Sequence, residues 1–294
     1  SRTATRCCSS AAAASALAGL NEDQTRWMIS YTAQQASGVN CWQRDEDHIE
    51  KAFDFGGMAA RNGVASATMV QAGWTGLEDV FSGPRNFFFA FAPDDAQPEL
   101  LLKELGERYE ITLTNIKKWT VGSPIQAVLD STQALILEND LSPDDIAEIV
   151  VRMSDNESHV VDSRHIADIN CQHMTAVMVM DKTVTFETAH DNDRMNDPDI
   201  LAQKAKVKLT PDPSLPRRQP IIEIKTTDGR DLTHRTMAVR GTPDNPMTKQ
   251  EVGDKAFELF AGPLGETKAQ DLIDRVWNIE DVANVRDLSP LLMP

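Results

Sequence analysis

Lys51 stands five residues before a Gly56-Gly57 pair, and Arg61 stands four residues after it. Within residues 48–63 the pair separates Phe53 and Phe55 from a helix-like run that begins Met58, Ala59, Ala60. Glycines let a backbone take left-handed dihedrals or approach a ligand closely. A helix starting after such a turn would offer unsatisfied N–H groups and a partial positive charge to an anion. Lys51 and Arg61 would add to that field. The plainer alternative is a helix–Gly-Gly–helix corner with two solvated cations. His48 lies one helical turn before Lys51, where it either tunes the lysine or is simply solvated.

A second candidate is residues 117–126, which carry Lys117, Lys118, Trp119, Ser123, Pro124 and Gln126. They lie between an expected strand and an expected helix N-terminus, where proline is favoured at the first position. Two lysines beside a helix start can hold a carboxylate through charge and backbone N–H groups. Ser123 and Gln126 can hydrogen-bond a carboxylate but are poor general acids. The alternative is a basic strand edge that discourages aggregation. The third candidate is His173, in Asn170-Cys171-Gln172-His173, because histidine titrates near neutrality and can serve as proton donor. A lone helix histidine is equally at home in a structural role. His159 and His165 lack metal-ligand spacing. With no phosphate loop, Rossmann glycine pattern, nucleophile elbow or iron–sulfur cysteine set, the site is expected to use neither metal nor cofactor.

Lys-x-x-x-x-Gly-x-x-Ala-Ala-x-x-Gly, here Lys51, Gly56, Ala59, Ala60 and Gly63, resembles the most recognisable segment of the MmgE/PrpD family. Met247-Thr248-Lys249 and residues 272–281, with Trp277-Asn278-Ile279-Glu280, resemble the family's ending, so the likeness spans essentially the whole chain. The resemblance implies a mostly α fold, an all-helical domain with an inserted α+β lid, working as a homodimer. It also implies cofactor-independent chemistry on small di- or tricarboxylates: dehydration as of 2-methylcitrate, decarboxylation as of cis-aconitate, or epimerisation as of iminodisuccinate. These reactions need cations to hold carboxylates and absorb developing charge, and a base tuned near working pH.

Residue by residue, Lys51 matches the family's active-site lysine ahead of the glycine pair. Lys117 matches a family lysine followed two residues on by an aromatic, here Trp119. His173 stands where a tyrosine is common. Gly122 replaces a histidine of the decarboxylase-like members, and Gln126 replaces one found in many relatives. Those replacements turn the expectation from decarboxylase toward dehydratase or epimerase. Ser1, aligned on the Ala-rich helix, falls where many members have an active-site histidine, and members carry a helical segment before that point. The expectation is therefore a trimmed precursor or the later part of a longer protein. A catalytically inactive or truncated member that binds ligand or oligomerises is the competing reading.

The elements that must position these residues change character along the chain. Residues 9–20 are a small-residue helix, and Asn21 with Gln24 forms a capping box for the next. Residues 58–73 form a third helix, and the phenylalanines of 79–92 read as core. A strand is expected at 110–116, a helix from Ser123 to about Glu138, a strand at 146–153, a helix at 167–180 and a strand at 206–210. A hairpin is expected around Asp228-Gly229. Thr248 with Glu251 caps a helix stopped by Gly262-Pro263, and two more helices follow at 266–277 and 281–292. The boundaries expected are helical residues 1–112, an α+β lid at 113–242, and returning helical residues 243–294.

The formal net charge of −16, from 29 Lys+Arg against 45 Asp+Glu, argues against nucleic acid or an anionic membrane as partner. It also means that an anionic substrate requires a local basic pocket. Four cysteines without paired spacing fit a reducing, cytoplasmic compartment.

Overall fold

The structure is a computed structural model that describes residues 2–37, 39, 41 and 49–293. Ser1 and His48 lie outside the described residues. The chain divides into two compact units, Ser1–Tyr109 and Glu110–Pro294. The fold is mostly α with an α+β part. Among the described residues no helix is long and apolar enough to cross a membrane.

In the first unit α1 (Arg2–Ala18) packs on α4 (Met58–Gln71), with α2 (Glu22–Gln34) against both. The capping box of α2 is formed: Gln24 N donates to Asn21 Oδ1 at 2.9 Å, and Asn21 N donates to Gln24 Oε1 at 3.0 Å. Gly63 decides how closely α1 and α4 approach. A Cβ there would lie 2.0 Å from Ser10 Oγ and 2.6 Å from Ala11 N. The freed space lets Ser10 Oγ donate across the interface to Ala59 O at 2.9 Å.

The expected glycine turn is corrected. α3 (Ile49–Ala52) runs into a π-helical segment, Phe53–Gly57, and directly on into α4. Gly57 is helical, at φ −59 and ψ −48, and the Met58 N–H donates to Phe53 O. No anion-binding helix start follows the pair, because its amides lie inside a continuous helical path. A π turn of this kind inserts a residue into the helix without breaking its hydrogen bonding.

The phenylalanine cluster is also corrected. Phe87–Phe91 form a short helix, α5, with the Phe87 and Phe91 rings 4.8 Å apart and Phe81 against Phe87 at 5.8 Å. These rings pack mainly on one another, and Phe89 is 66% exposed, so they are not the unit's core.

In the second unit the strand expected at 110–116 is absent. Glu110–Leu113 is a 3-10 turn, Ile111 is exposed, and among the described residues the pattern found no partner strand. The sheet has order β2-β1-β3-β4, from β1 (Ile146–Met153), β2 (Val207–Pro211), β3 (Ile221–Thr226) and β4 (Asp231–Arg235). β1 runs parallel to β2 and antiparallel to β3. Ile149, Val151 and Met153 alternate inward with Ile222 and Ile224 of β3, which is the period of a sheet buried on one face.

α6 (Gln126–Glu138) and α8 (Cys171–Asp181) cover that face. α8 is buried from Cys171 through Val179, as befits a helix apolar nearly all round. Around it lie α7 (Asp155–Val161), α9 (Phe186–His190) and α10 (Pro198–Lys204). α11 (Lys249–Leu264) and α12 (Glu266–Trp277) form the final helical pair. Pro263 lies inside the last turn of α11, and the stop is Gly265, whose φ of 80 favours glycine. Residues 285–292 wind as a 3-10 helix and not as the expected α-helix.

Candidate functional site

Gln126 opens α6 and holds the loop before it. Its Nε2 donates to Trp119 O at 2.7 Å and to Val121 O at 3.2 Å, while its Oε1 accepts from Trp119 N at 3.1 Å. The carboxamide is 3% exposed and committed to the backbone, so it shapes the site instead of reaching into it. Trp119 is anchored a second time by its Nε1, which donates to Asp130 Oδ1 at 2.9 Å. On the other side of the loop Ile116 N donates to Gly241 O at 2.8 Å. Gly241, at φ +90, approaches so closely that a Cβ would lie 1.7 Å from Ile116 O.

With Trp119 pinned, the two neighbouring lysines diverge. Lys117 donates to Val121 O at 2.8 Å and lines an open cleft of about 350 Å³ together with Ser123, Gln126, Arg217, Arg218 and Arg240. Among the described residues four cations therefore border this cleft, with Asp244 as the lining carboxylate. Lys118 belongs to a neighbouring cleft of about 390 Å³ with Asp130, Gln133, His234 and Arg240. Its Nζ donates to Gln133 Oε1 at 2.9 Å and lies 4.2 Å from the centre of the Trp119 ring. Burial lowers the Lys118 pKa from its ordinary value, opposed by the nearby Asp130 and Glu251 carboxylates.

The arginines of the first cleft are held from behind. Glu157, on α7 and only 2% exposed, accepts from Arg217 Nε at 3.2 Å and from the Arg218 backbone N at 2.8 Å. The same carboxylate accepts from Arg218 Nη1. Burial lowers the Arg218 pKa, with the Glu157 charge working against it. Arg240 pairs with Glu251, and its Nη1 donates to Asn245 Oδ1 at 2.7 Å. The Arg240 hydrogen bond, followed by the cap contacts of Thr248, holds the Glu251 carboxyl down at about 2. Sequence reasoning missed Arg217, Arg218 and Arg240; the available signal was an arginine doublet bracketed by Pro216 and Pro220 in an acidic chain.

Of the other candidates, His173 does not line either cleft. It is fully buried in α8, its backbone N–H capped by Asn170 Oδ1 at 2.9 Å, and among the described residues neither ring nitrogen has a hydrogen-bond partner. Burial, reinforced by Lys204 and Arg194 and opposed by Asp191, pushes its pKa down to about 4. The expectation of a histidine titrating near neutrality is corrected: this ring is neutral at pH 7. Lys51, in α3, is partly buried within the first unit. Arg61, exposed on α4, donates from Nε to Asn62 Oδ1 at 3.1 Å and lies 5.8 Å from the centre of the Phe53 ring. The structure thus gathers Lys117, Ser123 and Gln126 on one cleft, sets Lys118 on the next, and holds Lys51 and Arg61 in the other unit.

Residues 2–99 match the MmgE/PrpD N-terminal domain, and residues 119–281 match the MmgE/PrpD C-terminal domain. The chain belongs to the MmgE/PrpD family. It is 25% identical over 302 residues to cis-aconitate decarboxylase of Mus musculus and 24% identical over 301 residues to cis-aconitate decarboxylase of Homo sapiens. Each alignment covers 96% of this chain, which spans 60% of the length of either relative.

Within this MmgE/PrpD chain, Gly122 has a local reason to lack a side chain. Its N–H donates to Asp168 O at 2.8 Å, and a Cβ would lie 3.3 Å from Ile169 Cγ2. A histidine here would require Ile169 to give way.

Proposed function

We propose that the protein is a cofactor- and metal-independent lyase or isomerase that acts on a small di- or tricarboxylate by removing a proton α to a carboxylate. The observation that carries this reading is the four-cation cleft around Lys117 in a chain of net charge −16. Membership of the MmgE/PrpD family and the likeness to two lyases support it. A carboxylate bound there gains charge-assisted hydrogen bonds, which are about twice as strong as neutral ones. Developing enolate charge is met by donors already in place. Lys117 is assigned to substrate binding and charge stabilisation, and Lys51 to proton transfer. His173, neutral and buried, is given no part.

The relatives' name points to loss of CO2 from cis-aconitate. Gly122 and the committed carboxamide of Gln126 stand where the decarboxylase-like members and many relatives have histidines, which turns the reading from decarboxylation toward the dehydratase or epimerase kind. The division into helical residues 1–112, lid 113–242 and returning helical residues 243–294, acting as a homodimer, belongs to the same proposal; light scattering reads the mass.

The test is proton NMR in D2O with citrate, 2-methylcitrate, cis-aconitate, malate and iminodisuccinate. Deuterium entering one of them with wild type, but not with Lys51→Ala, supports the proposal, and the product names the reaction. Exchange that survives Lys51→Ala sinks the role given to that lysine. CO2 release from cis-aconitate would return the reading to a decarboxylase. Binding with no turnover would favour an inactive ligand-binding member, a reading supported by the absence of an acid at positions 122 and 126.

A further inference from the structure

The arginine doublet of the cleft is built in a way its neighbours are not. One buried carboxylate, Glu157, holds both guanidiniums and the Arg218 backbone N–H. Arg218 also adopts φ +63, a conformation a non-glycine side chain rarely takes. Three contacts from one side chain fix the loop between β2 and β3 at that conformation. Glu157 reaches Arg217 only through Nε, so the terminal amino groups of Arg217 make no protein hydrogen bond among the described residues. Arg218 likewise commits Nη1 to Glu157. One carboxylate serving two arginines leaves a unit of positive charge uncompensated at the cleft, and planar guanidinium donors match a carboxylate two-pronged.

We propose that Arg217 and Arg218 are the selectivity arm of the cleft, binding a second carboxylate of the ligand while Lys117 binds the first. Glu157 is the positioning residue that presets them. This rests on the reading of the cleft as a polycarboxylate site. A ligand with two or more carboxylates then engages both ends, whereas a monocarboxylate engages one. Glu157 acts without touching ligand: it restrains two long side chains whose ordering would otherwise be a cost of binding.

The experiment is isothermal titration of the whole chain with tricarballylate and with butyrate, comparing wild type with Arg217→Ala, Arg218→Lys, Lys117→Ala and Glu157→Gln. Arg217 is 64% exposed, so its variant keeps the test valid even if the buried Glu157→Gln fails to fold, which circular dichroism reports. Arg217→Ala is expected to weaken tricarballylate about tenfold or more and butyrate less than threefold, with Arg218→Lys in the same direction. Folded Glu157→Gln is expected to lower the ratio of the two affinities, a change that a merely structural role would not produce. Tricarballylate affinity that falls with Lys117→Ala but not with Arg217→Ala overturns the inference and leaves the proposed function standing. Wild type that binds neither probe overturns both.

Discussion

The side chain of Gln126 and the backbone of Trp119 exchange two hydrogen bonds, Nε2 to Trp119 O at 2.7 Å and Trp119 N to Oε1 at 3.1 Å. A glutamine that reads as a ligand-binding residue is in fact the clasp of the loop that carries the lysines. Replacing it with leucine would leave a buried backbone donor and acceptor unsatisfied, each costing about 1–3 kcal/mol. Gln126→Leu is expected to lower stability by at least about 2 kcal/mol in urea unfolding and to loosen carboxylate binding at Lys117.

The clasp also separates Lys117 from Lys118, which line different clefts. Loss of a hydrogen bond to a charged partner costs about 1.5–3 kcal/mol, roughly ten- to a hundredfold in affinity. Lys117→Ala is expected to lose tricarballylate affinity on that scale, and Lys118→Ala to change it less than about threefold. Equal losses in the two variants, read by calorimetric titration, would return Lys118 to the same site.

Gly63, the last residue of the family signature, serves the contact of α1 with α4 and not a ligand. A Cβ would lie 2.0 Å from Ser10 Oγ and 2.8 Å from Cys7 O, so a methyl group forces the helices apart. Gly63→Ala is expected to destabilise by about 1–3 kcal/mol, as over-packing does, despite alanine's better helix propensity. Pairing it with Ser10→Ala should recover only part of the loss, since the backbone of Ala11 is also in the way. Thermal unfolding decides; a neutral Gly63→Ala would show that the helices can separate freely.

His173 makes stability depend on acid. Its pKa, ordinarily 6.5, is pushed down to about 4 in the fold by burial and by Lys204 and Arg194, with Asp191 opposing. Between those values the unfolded chain binds more protons than the folded one, so stability is full above pH 6.5 and falls as the pH drops toward 4. The loss from this residue is at most about 3 kcal/mol. His173→Met is expected to flatten that dependence while leaving neutral-pH stability unchanged or higher, because an unpartnered buried polar ring is exchanged for an apolar chain. Urea midpoints measured from pH 7 to pH 4.5 test it, and an unaltered pH slope in the variant would refute it.

What the sequence by itself determined were features carried by neighbours in the chain. The Asn21–Gln24 and Thr248–Glu251 capping boxes and the Asp228-Gly229 hairpin are present because each is satisfied within a few residues, and the alternation of β1 and the apolar run of α8 are present because a local pattern states which faces are buried. The family signature was legible for the same reason. Even local reading failed where a competing partner was needed: residues 110–116 alternate like a strand but found none, and Gly56-Gly57 reads as a turn yet continues a helix.

Only the tertiary structure decided the composition of the cleft. Lys117, Arg218 and Arg240 come from three separated loops, brought together by Gln126 on Trp119, Glu157 on the arginine doublet and Gly241 against Ile116. Each of these contacts joins a side chain or backbone group to a partner fixed by packing, not by spacing. It was likewise packing that shut His173 away from solvent and set Lys118 on the neighbouring cleft, because a helix periodicity states which face is buried but not which charges surround it.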